Sequence, residues 1–129
     1  MENEIKKIAD RNGWIAFRDL EPTEEACLDG KLLAYHVFNG CVAVSWSRRH
    51  DTEMYTHWQP MPAEGWVPVA ERYPEGRDAN SVNCILARHE LYGITTTGWH
   101  RLKWDRRYSE WQRTPEAPEN IGEYKYRFL

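Results

Sequence analysis

The sequence predicts a mainly β protein (a β-rich α+β fold): two tandem small antiparallel β repeats in a pseudo-twofold arrangement, with a short N-terminal helix. Three observations carry this reading. Residues 31–47, KLLAYHVFNGCVAVSWS, flank an Asn39-Gly40 pair with apolar and β-branched residues, and Asn-Gly supplies the positive φ values of a tight hairpin turn. A related stretch recurs at 84–100, CILARHELYGITTTGWH. The recurrence extends in order along the chain. Gly65-Trp66-Val67 repeats Gly13-Trp14-Ile15, Pro74 repeats Pro22, and Leu86-Ala87 repeats Leu33-Ala34. His89, Gly93, Trp99, Trp111-Gln112 and Pro115 then repeat His36, Gly40, Trp46, Trp58-Gln59 and Pro62. Ordered matches that include three Trp pairs are the mark of an internal duplication.

Taken in order, residues 2–11 suit a short helix with Ile5, Ile8 and Ala9 on one stripe, stopped by Asn12-Gly13. Residues 14–17 read as a short strand ended by Glu21-Pro22-Thr23, and Thr23 is placed to cap one helical turn. A two-residue Asn39-Gly40 loop would set Val37 opposite Val42, Tyr35 opposite Val44 and Leu33 opposite Trp46. Both faces of that hairpin are largely apolar, so it is expected to be covered on both sides. In the second hairpin the same register groups Ile85, Ala87, His89, Leu91 and Ile94 on one face, and Arg88, Glu90, Thr95 and Thr97 on the other. Residues 55–58 form a third strand. The expected division is 1–63 and 64–129 around one shared core, with 121–129 as a final edge strand or docking segment of the second repeat.

Seven Trp and 13% aromatic residues supply large buried areas in a chain of 129 residues. Seventeen basic and 20 acidic residues give a net charge of −3, which argues against nucleic acid as the partner, since that affinity comes from a cationic surplus. Cys27, Cys41 and Cys84 are an odd set without a CxxC pair, so reduced thiols are expected. There is no apolar run of membrane-helix length, and residues 1–13 lack a signal-peptide core. The expectation is a cytoplasmic protein with no membrane association.

The stretch from Gly65 through Trp66-Val67-Pro68 to Tyr73-Pro74-Glu75 resembles the opening of small phage and prophage modules of the Eaa-type family, domain of unknown function 551. Thr56-His57-Trp58-Gln59-Pro60-Met61-Pro62 resembles their closing motif. The resemblance covers roughly 13–62 and 65–115; the second half departs from it by closing on Glu110-Trp111-Gln112-Arg113-Thr114-Pro115. It implies a phage context, hence the cytoplasm of a bacterial host, and carries no catalytic residues.

Five histidines invite a metal site, yet no HxH or HExxH spacing occurs. His36 and His89, equivalent by repeat, are the remaining metal candidates; the favoured reading makes them core imidazoles bonded to backbone carbonyls. Cys41 and Cys84 fall in apolar strands, where a thiol is inert packing. No phosphate loop, serine elbow or carboxylate pair stands out, so no cofactor and no catalytic residue is expected. The segment containing Arg101, Lys103, Trp104, Arg106, Arg107 and Tyr108 interleaves cations with aromatics, and Arg48-Arg49 is its weaker counterpart. Such a composition is suited to binding single-stranded nucleic acid by stacking and phosphate contacts or to gripping an acidic protein surface, and the plain alternative is a solvated hairpin whose Trp residues point inward. The leading expectation is therefore a non-enzymatic phage accessory protein that binds and inhibits a host factor, such as an antiphage-defence component. The alternatives are a nucleotide-signal sponge and a metal-dependent enzyme; an exposed sheet edge would also permit a homodimer.

Overall fold

A computed structural model describes residues 2–129. It contains two four-stranded antiparallel sheets in two compact units, one formed by residues 1–61 with 117–129 and the other by 62–116. In the first unit, α1 (Glu2–Ile8) precedes β1 (Ile15–Ala16), β2 (Lys31–His36), β3 (Gly40–Ser45) and β4 (Tyr55–Gln59), arranged β1-β4-β2-β3. In the second, β5 (Val67–Pro68), β6 (Cys84–His89), β7 (Gly93–Gly98) and β8 (Tyr108–Arg113) repeat that order as β5-β8-β6-β7. The mainly β reading and the tandem repeat are borne out. No helix among the described residues is long and apolar enough to cross a membrane.

The duplication extends to individual hydrogen bonds. Trp58 Nε1–H donates to the Leu20 carbonyl at 2.8 Å, and Trp111 Nε1–H to the Arg72 carbonyl at 2.9 Å. The Gln59 amide reaches the Asn12 carbonyl at 3.1 Å, and Gln112 reaches Glu64 at 3.2 Å. The turn residues they grip, Gly13 and Gly65, have φ of 89° and 88°; at Gly13 a Cβ would sit 3.0 Å from the Gln59 oxygen. Only glycine meets both conditions without strain. The cores correspond as well. Ile15, Ala26, Leu32 and Trp58 cluster in the first unit, and Ala79, Ile85, Ala87 and Trp111 in the second.

The hairpin register differs from the sequence reading. Leu32 pairs with Val44, Ala34 with Val42, Tyr35 with Cys41 and His36 with Gly40, so the loop holds three residues, not two. Positive φ occurs at Gly40 (84°) and not at Asn39, which is the three-residue hairpin with glycine at the left-handed position rather than a two-residue turn. The second hairpin does the same, with His89 opposite Gly93. A slip of odd length exchanges faces. Ile94 therefore sits opposite Arg88, while Thr95 and Thr97 lie opposite Ala87 and Ile85.

Of the two expectations for the C-terminal segment, the docking segment is the one observed and the edge strand is not, and the unit it docks on is the first. Residues 121–129 form no strand: α2 (Ile121–Lys125) is helical and runs into a further short turn. It belongs to the first unit, not the second. Tyr124 packs with Ala16 and Val37, flanked by Met54, Ile121 and Phe128. His57 bonds it in place. Its Nε2–H donates to Asn120 Oδ1 at 2.8 Å while Nδ1 accepts from Thr56 Oγ1–H at 2.8 Å, and Glu119 accepts two guanidinium N–H groups of Arg11 on Oε2 and the Arg11 backbone N–H on Oε1.

Burial lowers the pKa of His57 from its ordinary 6.5, against an opposing contribution from the Asn120 bond. A lowered histidine pKa means that the unfolded chain takes up the proton first. His57 thus favours folding fully above pH ~6.5, the ordinary histidine value, and this contribution is lost as pH falls towards its native pKa. Melting temperature between pH 7 and 5 is expected to fall less steeply in His57→Gln than in the parent; identical slopes would show that His57 does not control it.

Candidate functional site

Each hairpin ends at a histidine beside a break in the strand register, between Tyr35 and His36 and between Arg88 and His89. The His36 ring nitrogen Nδ1 accepts the N–H groups of Phe38 and Asn39 at 3.2 and 3.1 Å. His89 Nδ1 accepts those of Leu91 and Tyr92 at 3.0 and 3.4 Å. Both imidazoles thus accept from loop amides, rather than donating to carbonyls as the sequence reading had it, and they hold the three-residue loop closed. An Nδ1 with two donors aimed at it is the unprotonated nitrogen of the ring.

His89 goes one step further. Its Nε2–H donates to Asp105 Oδ2 at 3.0 Å, and the ring stacks on Tyr92 with centroids 4.6 Å apart. Asp105 also receives the Arg107 backbone N–H and a two-pronged guanidinium contact at 3.0 and 3.1 Å. The Arg107 side-chain bonds come first in holding the Asp105 carboxyl far below the usual carboxylate range, followed by its backbone N–H and His89. With both ring nitrogens engaged, His89 has no lone pair left for a nucleophile or a metal, although Ser109 lies in the same groove. Among the described residues no group of three or more His, Cys, Asp or Glu could hold a metal ion. Cys41 is buried; Cys27 and Cys84 are half-buried thiols pushed up by burial, opposite to the shift of a reactive thiolate.

The basic aromatic residues divide into two groups. Tyr108 is 9% exposed and belongs to the second core. Arg107, though at the surface, is held by Asp105. Arg49 stacks on Trp46 at 3.6 Å and donates to its carbonyl at 2.7 Å; it occupies the place that buried Leu102 holds in the second unit. Arg48 lies 3.9 Å from Asp51. Those four are explained by packing or local pairing. Arg101, Lys103, Trp104 and Arg106 are all exposed on the loop leading into β8, and Trp104 is 84% exposed. Arg101 and Lys103 lie within a helical turn, Trp99–Lys103, anchored by buried Leu102, and Trp104 follows it directly.

Comparison of the two loops shows where the copies part. Residues 48–54, RRHDTEM, carry two Arg against Asp51 and Glu53. Residues 101–107, RLKWDRR, carry four cations against Asp105 alone, and Trp104 and Arg106 stand where the first copy has Asp51 and Glu53. The frame is repeated while the exposed loop changes character. Asp105 was the residue the sequence reading missed; its signal was the equivalence with Thr52, whose hydroxyl accepts the Met54 N–H at 3.2 Å as Asp105 accepts that of Arg107.

The fold and this surface define a duplicated antiparallel β module whose second copy presents a cationic, aromatic loop. Comparison of the chain with family models, curated proteins and solved structures finds no match.

Proposed function

We propose that the chain is a non-enzymatic phage or prophage accessory protein that binds a host protein through the exposed loop of its second repeat. The observation that carries this reading is Trp104, 84% exposed, between Lys103 and the exposed Arg101 and Arg106. Exposing an indole forgoes about 1.5–3 kcal/mol of burial free energy, and Trp and Arg are the residue types that dominate interface hot spots. The first copy lacks both features at the same place, having Asp51 and Glu53. The phage context rests on the resemblance of the repeat openings and the His57-Trp58-Gln59-Pro60 close to the Eaa-type modules. Inhibition of a defence component is the role such an accessory protein would fill.

The test is capture of partners from a bacterial lysate by the immobilised full chain. One stoichiometric protein is expected with the parent and is expected to be lost with Arg101→Glu/Lys103→Glu/Arg106→Glu. Equal capture by parent and variant, or capture by neither, removes the loop from the proposal. Arg107 is left out of the variant because it holds Asp105.

A further inference from the structure

The first repeat contains a docked segment, and the second repeat has an open groove at the equivalent place. In the first unit, Tyr124 and Phe128 line the space beside Glu53, Tyr55 and Thr56, leaving a cleft of about 290 Å³. The corresponding residues of the second unit are Arg106, Tyr108 and Ser109. They line a groove of about 570 Å³ together with Glu90 and Arg107. Ser109 is exposed at the break in β8 register, as Thr56 is placed in β4.

We propose that this groove receives a short acidic helical segment of the protein partner, seated on the second repeat as α2 is seated on the first. This rests on the reading of the second repeat as a protein-binding surface, and it adds the partner's chemistry. The argument is one of substitution between copies. The apolar seat of Tyr124 is made by Ala16, Val37 and Met54; the second copy has Pro68, Glu90 and Arg107 in their place. An apolar tail has lost its seat there, whereas a charged segment has gained one. Of the groove's charged lining, Arg88 pairs with Glu110 at 2.7 Å, Arg107 pairs with Asp105, and Arg106 stands with Glu90; Arg101 and Lys103 add two exposed cations on the adjoining loop. The surplus is cationic, so the complementary segment is acidic. Its helical form follows from the docked precedent of α2, and Ser109 places no bulky side chain in its way.

The probe is a fluorescent 13-residue peptide with the sequence of residues 117–129 in which Lys125 and Arg127 are both changed to Glu. It is titrated into the full chain, the Ser109→Trp variant and the Arg106→Glu variant. Ser109→Trp fills the groove from an exposed position, and its melting temperature is checked against the parent. Saturable binding weakened at least tenfold by both variants is the expected result. Absent saturation, or binding indifferent to Ser109→Trp as displacement of α2 from the first unit would give, overturns the proposal. Lysate capture separates the two readings. Capture lost in the triple loop reversal but kept in Ser109→Trp overturns the groove and leaves the loop standing, whereas capture kept in both overturns the loop as well.

Discussion

Replacing Trp58 with alanine is expected to cost about 4 kcal/mol of stability, the range for deleting a buried Trp from a core. Trp58 is 0% exposed and bridges the sheet to the 16–20 turn through its bond to the Leu20 carbonyl. Alanine removes the buried ring and leaves that carbonyl without its donor. Trp58→Phe keeps most of the apolar contact and loses the bond, so a cost of about 1–2 kcal/mol is expected. Trp111→Ala should match Trp58→Ala, because the residue is 3% exposed and makes the equivalent bond to Arg72. Urea unfolding of the full chain reads all three. A cost below about 1 kcal/mol for either alanine variant is incompatible with the framework role given to these residues by the duplication.

His89→Ala is expected to be the next most damaging change, at about 2–4 kcal/mol, and more so than His36→Ala. The imidazole of His89 is 2% exposed and serves three partners: the Leu91 and Tyr92 amides and the Asp105 carboxylate. Its removal orphans donors at the loop and one side of Asp105. His36 is half-buried, and its equivalent of Asp105 is Thr52. The larger loss at His89 should be accompanied by faster hydrogen exchange of the Leu91 and Tyr92 amides. Equal costs for the two variants would mean that the Asp105 link contributes nothing.

The fold was largely legible because duplication multiplies weak signals. A single Trp-Gln pair says little, but Trp58-Gln59 and Trp111-Gln112 in step with two hairpins define a repeated frame, and the bonds from those four side chains are its physical cause. The register was not legible from Asn39-Gly40, since that dipeptide suits either a two-residue turn or a three-residue loop with only Gly40 left-handed. His36 and His89 decide between them through bonds to loop amides, and nothing in local propensity encodes those bonds. The choice between edge strand and docking segment for the tail was not legible for a similar reason. The alternation of Tyr124, Tyr126 and Phe128 imitates a strand, yet Tyr124 is buried while Tyr126 is 82% exposed, a difference set by the seat on Ala16 and Val37. At the candidate site, composition identified the segment but not its sorting. Tyr108, Arg107 and Arg49 are aromatic or cationic like Trp104 and Arg106, and only the folded packing and pairing show that the former are held in place and the latter are presented to solvent.

The most direct measurement is the affinity of the captured partner for a variant in which the second loop is given the first loop's exposed residues, Trp104→Asp/Arg106→Glu. Both positions are at the surface, so the unfolding midpoint should stay close to that of the parent. Loss of a central Trp and reversal of an Arg should weaken binding by at least tenfold, since hot-spot side chains each contribute about 2 kcal/mol or more. Unchanged affinity in a folded variant would contradict the claim that the second copy was specialised for binding through this loop.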